Sequence, residues 1–384
     1  MRLAHFARGL RVCFFGTYDS SYPGNRVLIE GLRRIGVEIV ECHIPLWENT
    51  PIKGADYYGV WSLVRLGGRF ALAMVRLLIQ AMRAPACSVV LTGFNGYFDL
   101  PAAKLVTWFW KGKLVFNPMM SMYDTLVLDR QRFREGTLLA RLILWVERAL
   151  YTLPDALLLD SRVHYQFFAE HLKCPWSKFR PMPFGADDRI FYPRPRPTPN
   201  GRFRVLFYGK YQPLQGVVWI VEAARLLQSD PAIDFCLIGS GPTWPEVQQR
   251  ARDLGVQNIH FVKWVDFHQL PEVIARADVC LGIFGVSDKV DRCIANKVVQ
   301  ALAMRKAVIT GYTKAMAEVL MDREQVIFCE SGNPKALADA IAELKQNANL
   351  RQQIADLGYD LFRQRFSPEA IGGLARRYLE DLIA

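Results

Sequence analysis

Short runs of Val, Ile, Leu and Phe alternate along this chain with longer stretches in which apolar residues recur every three or four positions. Runs of four to eight such residues read as buried strands, and the longer periodic stretches read as amphipathic helices. The pattern predicts strands at 11–15, 37–42, 88–92, 113–117 and 156–160, with helices near 24–35, 62–83, 137–151 and 162–171. Four alternating prolines in Tyr192-Pro-Arg-Pro-Arg-Pro-Thr-Pro-Asn-Gly-Arg202 then hold the backbone extended, so that neither helix nor sheet can continue. Beyond them the rhythm restarts. Strands are predicted at 203–208, 234–238, 259–262, 279–283, 307–310 and 326–329, and helices at 217–227, 244–254, 270–275, 297–304 and 334–346, with a last helix at 368–382.

Strands that alternate with helices imply parallel sheets joined by right-handed crossovers. The expected fold is therefore α/β, two Rossmann-like domains facing across a cleft, with ligands beyond the carboxyl ends of the strands. The expected division is a first domain over 1–191, a linker over 192–202, a second domain over 203–366 and a terminal helix over 367–384.

Composition narrows the class. At 384 residues, 51% hydrophobic and 22% charged, the chain is too apolar for disorder and long enough for two cores. The formal charge is +11, and it is uneven: residues 1–186 hold 23 basic and 14 acidic residues (+9), whereas 187–384 hold 25 and 23 (+2). A one-sided positive field suits an anionic partner. The eight cysteines form no Cys-x-x-Cys pair and sit mostly in apolar runs, which points to buried thiols in a reducing compartment and away from a zinc ribbon. Charges interrupt Met1–Arg8 where an export signal needs an apolar core, and no uncharged stretch reaches the ~20 residues of a membrane span. A cytoplasmic location is expected.

Candidate chemistry lies in the loops after strands. Gly16, in Phe15-Gly-Thr-Tyr-Asp-Ser-Ser-Tyr-Pro-Gly24, opens a loop that leads into a helix, where free N–H groups and the helix dipole can face an anion, although the spacing is not that of a dinucleotide fingerprint. Gly209 and Lys210 hold the corresponding place after strand 203–208. In Gly239-Ser-Gly241-Pro, two glycines let a ligand or another backbone come close. Between Phe284 and Met304, Lys289, Arg292, Asn296 and Lys297 precede or open an apolar helix, placing cations where the macrodipole disfavours them. Either a diphosphate or the neighbouring Asp288 and Asp291 would relieve that conflict.

Taken in order, the Gly209/Lys210 loop, Gly239-Ser-Gly-Pro242, the Asp278-Val-Cys-Leu strand and the helix before Ala307-Val-Ile-Thr resemble the nucleotide-sugar half of family-4 (group 1) glycosyltransferases of the GT-B fold. Pro183-Phe-Gly-Ala-Asp187 and Phe191-Tyr-Pro193 resemble the exit from that family's acceptor domain. The resemblance implies transfer of a sugar, with retention, from a nucleoside-diphosphate sugar to a glycan, lipid-linked or small-molecule acceptor. It implies no metal and no cofactor besides that co-substrate. The family usually carries two glutamates separated by seven residues, and here Arg292 and Gln300 hold those positions. The usual Arg and Lys of the first loop correspond to Lys210 and Gln215, so Lys289 and Lys297 would supply the missing charge. Lys210, Lys289, Arg292 and Lys297 would then stabilise the leaving diphosphate, while Gln300 bonds a ribose hydroxyl. No histidine falls within Asn117–Tyr123, which leaves Asp124 to orient the acceptor or merely to cap a local turn. The missing glutamates also fit an inactive nucleotide-sugar-binding partner of another transferase. A sugar-nucleotide epimerase of the same fold would need acid/base groups that the sequence does not offer.

The helix predicted at 62–83 places Arg65, Arg69, Arg76 and Arg83 within about 40° of arc, opposite Leu63, Phe70, Met74, Leu77 and Ala81. Packing on its own sheet with the arginines in water is the first expectation, and peripheral attachment to the anionic inner face of a membrane is the second. Trp108, Phe109 and Trp110, close to Lys111 and Lys113, read as core residues at a helix end. No basic-aromatic platform for nucleic acid surrounds them.

Overall fold

The computed structural model describes residues 10–20, 22–46, 60–195 and 201–384. They form two compact units, the first comprising 1–183 with 368–384 and the second 184–367.

In the first unit, six parallel strands run β1 (Arg11–Gly16), β2 (Glu38–His43), β3 (Val89–Thr92), β4 (Lys113–Phe116), β5 (Ala156–Leu159) and β6 (Phe179–Pro181), in the spatial order β2-β1-β3-β4-β5-β6. The helices between them are α1 (Pro23–Arg34), α2 (Val60–Arg83), α3 (Leu100–Trp110), α4 (Leu138–Thr152) and α5 (Arg162–His171). Apolar side chains of α2, α3, α4 and α5 share one core with one face of the sheet. The opposite face packs on α1 and on the terminal helix, Pro368–Ile383. Thr137 and Ser161 cap α4 and α5 by accepting hydrogen bonds from Ala140 N and His164 N, which fixes where these helices begin.

The second unit repeats the architecture with β7 (Phe203–Tyr208), β8 (Ile233–Ile238), β9 (Ile259–Val262), β10 (Val279–Leu281), β11 (Ala307–Gly311) and β12 (Ile327–Cys329), ordered β12-β11-β10-β7-β8-β9 and all parallel. Its helices are α6 (Val217–Leu226), α7 (Trp244–Asp253), α8 (Leu270–Ala275), α9 (Asp288–Asp291), α10 (Asn296–Ala303), α11 (Lys314–Ala317), α12 (Pro334–Gln346) and α13 (Ala348–Leu361), and the terminal helix is α14. One core lies under α6, α7, α12 and α13, the other under α8, α10 and α11.

Several expectations need correction. The units divide at Pro183/Phe184, not in the proline-rich segment, whose residues 196–200 lie outside the described ones. Ala186 and Phe191 are buried in the second unit's core with Tyr208 and Ile294, and Ala186 N donates to Phe366 O, so the chain has entered that unit before the prolines begin. The terminal helix is not a separate piece: α14 packs along α1 so closely that a Cβ on Gly372 would lie 2.2 Å from Gly31 O. Trp108 and Phe109 are not core residues, being 79% and 69% exposed. In α3 the face toward the sheet is already filled by Ala102, Ala103 and Val106. The helices α3, α9, α11 and α13 and the short strand β6 are not anticipated by the sequence pattern. Among the described residues no helix is long and apolar enough to cross a membrane.

Candidate functional site

In an open parallel sheet, neighbouring strands whose connections leave in opposite directions open a crevice at their carboxyl ends. The strand orders place that point between β7 and β10 in the second unit and between β1 and β3 in the first.

At the second unit's switch point, the loop after β7 and the segment after β10 are stitched backbone to backbone. Phe284 N donates to Gln215 O at 3.1 Å and Gly285 N to Leu214 O at 3.2 Å. Gly216, at φ +62°, makes this possible, because a Cβ there would meet the Phe284 carbonyl carbon at 2.4 Å. The candidate lysine Lys297 enters from the first turn of α10. Its Nζ lies 3.7 Å from the centroid of the Phe207 ring, donates to Gln215 Oε1, and would touch a Cβ on Gly209 at 2.8 Å. Its own carbonyl accepts from Tyr208 Oη at 2.9 Å. Burial pushes the Lys297 ammonium well below its ordinary pKa. Lys297 thus reaches across from α10 to the side chain at position 215. Gln300, one helical turn on, is also buried.

The remaining residues have more varied placements. Gly209 leaves room for Lys297, but Gly239 and Gly241 admit backbone: their Cβ positions fall 1.8 Å from Gly209 O and 2.5 Å from Tyr211 O. Both glycines thus let the loop after β7 pack on the loop after β8. Lys210 is exposed on its loop. Lys289 lies in α9, whose start Ser287 caps, and Arg292 follows it, both half-buried. Asp291 gives its carboxylate to Lys314 at 2.9 Å. Asn296 begins α10 without capping it; Ala295 holds the cap position.

At the first unit's switch point, a Cβ on Gly16 would lie 2.3 Å from Asp99 Oδ2. That carboxylate is fully buried, accepts from Thr17 N at 2.6 Å and Thr17 Oγ1 at 3.0 Å, and is pushed up by burial to about 6. The loop N–H expected to face an anionic ligand is therefore engaged by the protein's own carboxylate. Asp99 was missed because a lone aspartate ahead of a Leu-Pro helix start reads only as a helix signal. Asp124 is buried and opens a π-helical turn over Asp124–Asp129. The preceding loop is held by Glu147 of α4, whose buried carboxylate accepts from Ser121 Oγ at 2.8 Å, Met122 N at 2.7 Å and Tyr123 N at 2.9 Å. Burial outruns these three donors and raises Glu147 to about 7. Glu147 also escaped the sequence reading, since one acid in an amphipathic helix carries no mark of burial.

These features can be set beside known proteins. The family described as "Glycosyl transferases group 1" matches residues 202–347. Lipopolysaccharide core biosynthesis glycosyltransferases LpsE and LpsD from Rhizobium meliloti are 24% and 22% identical over 175 residues, which is 45% of this chain and 48% of each relative. The matched segment thus spans about half the length of these relatives. Among solved structures, sucrose-phosphate synthase from Thermosynechococcus elongatus superposes with a TM-score of 0.70 at 16% identity, covering 98% of this chain and 99% of that one. Anabaena HepE in complex with UDP does so with a TM-score of 0.68 at 14% identity, covering 97% of this chain and all of HepE. By strand order, by its paired Rossmann-like units and by these superpositions, the chain has the GT-B fold, and its residues 202–347 match the group 1 glycosyl transferases.

Proposed function

We propose that this protein is a glycosyltransferase that takes a sugar, with retention, from a nucleoside-diphosphate sugar held at the β7/β10 switch point of the second unit. The observation that carries the reading is Lys297, a buried amine placed against Gly209 and Gln215 within the family-matched segment. An amine whose charge burial opposes is stabilised in its charged form by an arriving diphosphate, and so serves the leaving group in the state where negative charge grows. Lys210, Lys289 and Arg292 are the further cations assigned to the diphosphate, together with Asn296 at the start of α10, and Gln300 is assigned to a ribose hydroxyl. Asp124, on a loop fixed by Glu147, is assigned to the acceptor. Buried thiols at Cys13, Cys42, Cys87, Cys174, Cys280 and Cys329 support a reducing, cytoplasmic setting.

A thermal-shift screen with UDP, GDP, ADP and TDP tests the donor site, with a shift by one of them expected. Hydrolysis of the matching nucleotide sugar, read by proton NMR of the released anomer, tests transfer chemistry and retention. The positions of the usual glutamates, filled by Arg292 and Gln300, favour a second reading, a nucleotide-sugar-binding partner without turnover. Binding with no hydrolysis and no transfer to any acceptor would select it. No shift with any of the four nucleotides would overturn both.

A further inference from the structure

We propose that the outward face of α2, α3 and α4 docks this protein on an anionic lipid bilayer. These helices lie side by side on one face of the first sheet, and their inward residues fill its core. Their outward residues are the unusual ones. Of the 21 large hydrophobic side chains exposed among the described residues, twelve lie here, four each on α2, on α3 with the turn that opens it, and on α4. Soluble proteins rarely present so much apolar surface without a use for it.

The solvent-facing arc of α2 is divided. Arg65, Arg69, Arg76 and Arg83 occupy about 40° of it, while Leu72, Val75, Ile79 and Met82, all exposed, fill roughly the next 100°. Leu105, Trp108 and Phe109 continue the apolar surface on α3, and Leu138, Leu139, Leu142 and Trp145 on α4. Phe70 of α2 meets Phe98 edge to face at 6.4 Å, which joins the first two helices across their shared groove.

Charge selects the occupant. The four α2 arginines, Lys111, Lys113 and Arg141 make no ion pair among the described residues. The three helices contain one carboxylate, Glu147, and it is buried. Long cationic side chains can lay their stems along apolar surface and lift their charges to headgroup phosphates, and tryptophan favours the same boundary. Lys104, Lys111 and Lys113 border an open pocket with Trp108, Phe109 and Asp155, and since Asp155 pairs with Lys104, Lys111 and Lys113 are left to receive one such phosphate. A second copy of this chain would set these unpaired cations against their own images. Nucleic acid would leave the aliphatic half of α2 without a partner, because bases stack on aromatic rings.

The test is sedimentation of the full chain with vesicles of phosphatidylcholine alone or with about 30 mol % phosphatidylglycerol. Binding is expected only to the anionic vesicles, weakening at least about tenfold in high salt. Two exposed-site variants, Trp108→Ser/Trp145→Ser and Arg69→Glu/Arg76→Glu, should each abolish pelleting while circular dichroism and the nucleotide thermal shift stay unchanged. Absence of pelleting at low salt, or pelleting that neither variant reduces, overturns the proposal. So does retention on RNA, or a dimer dissolved by the tryptophan variant, where vesicles do not bind. The readout requires no turnover, so its failure leaves the donor-site reading intact.

Discussion

Lys297 is the residue at which stability and function should separate. Replacing it by Met removes a buried amine whose burial opposes its charge, and puts an apolar chain end in place of the Nζ that lies over the Phe207 ring. Lys297→Met should therefore leave the melting temperature equal or higher while abolishing the thermal shift by a nucleoside diphosphate. Gly239→Ala should act oppositely. A positive φ and a Cβ 1.8 Å from Gly209 O predict a loss of about 2–4 kcal/mol, measurable by urea denaturation. Glu147 brings a pH dependence. Its folded value near 7 lies above the ordinary 4.5, so between those pH values the folded state keeps a proton that the unfolded state has lost. Stability should fall as pH rises through this window, by up to about 3 kcal/mol, and Asp99, raised from 3.8 to about 6, adds in the same direction. Glu147→Gln should flatten the profile between about pH 4.5 and 7. At this scale the sequence was legible where chemistry follows chain order, as for Gly209 and Lys297. It was silent where a group acts through distant neighbours, as Asp99 does on Thr17 and Glu147 on Ser121.

Strand positions could be read from apolar runs because central parallel strands are buried on both faces, and β7, in the middle of its sheet, begins and ends where expected. The failures also have physical causes. In α3 the residues Leu105, Trp108 and Phe109 are apolar yet exposed, which erased the helical periodicity that would have revealed it. α13 follows α12 after a single residue, Asn347, whose side chain caps it from Leu350 N, so no turn-rich segment announced a new helix. The contact of α14 with α1 could not be foreseen, because a small residue at each of two distant positions, Gly31 and Gly372, does not mark them as partners. Gly372→Val should push the two helices apart and lower the melting of the first unit by several degrees, with the second unit's transition unmoved in calorimetry.

At the scale of the whole molecule, two units with separate cores predict two calorimetric transitions. A nucleoside diphosphate should raise only the transition of the second unit, since ligand binding stabilises the body that holds it. The order of folding follows from where the chain passes between them. Residues 184–367 are continuous, whereas the first unit is interrupted by them and completed only by α14. As the polypeptide leaves the ribosome, the later unit can reach its native core while the earlier one still lacks the helix that covers α1, reversing the usual amino-to-carboxyl sequence of domain maturation. A fragment of residues 184–367 should accordingly be soluble and cooperative by itself, and residues 1–183 should need a chaperone or a supplied α14 peptide to escape aggregation.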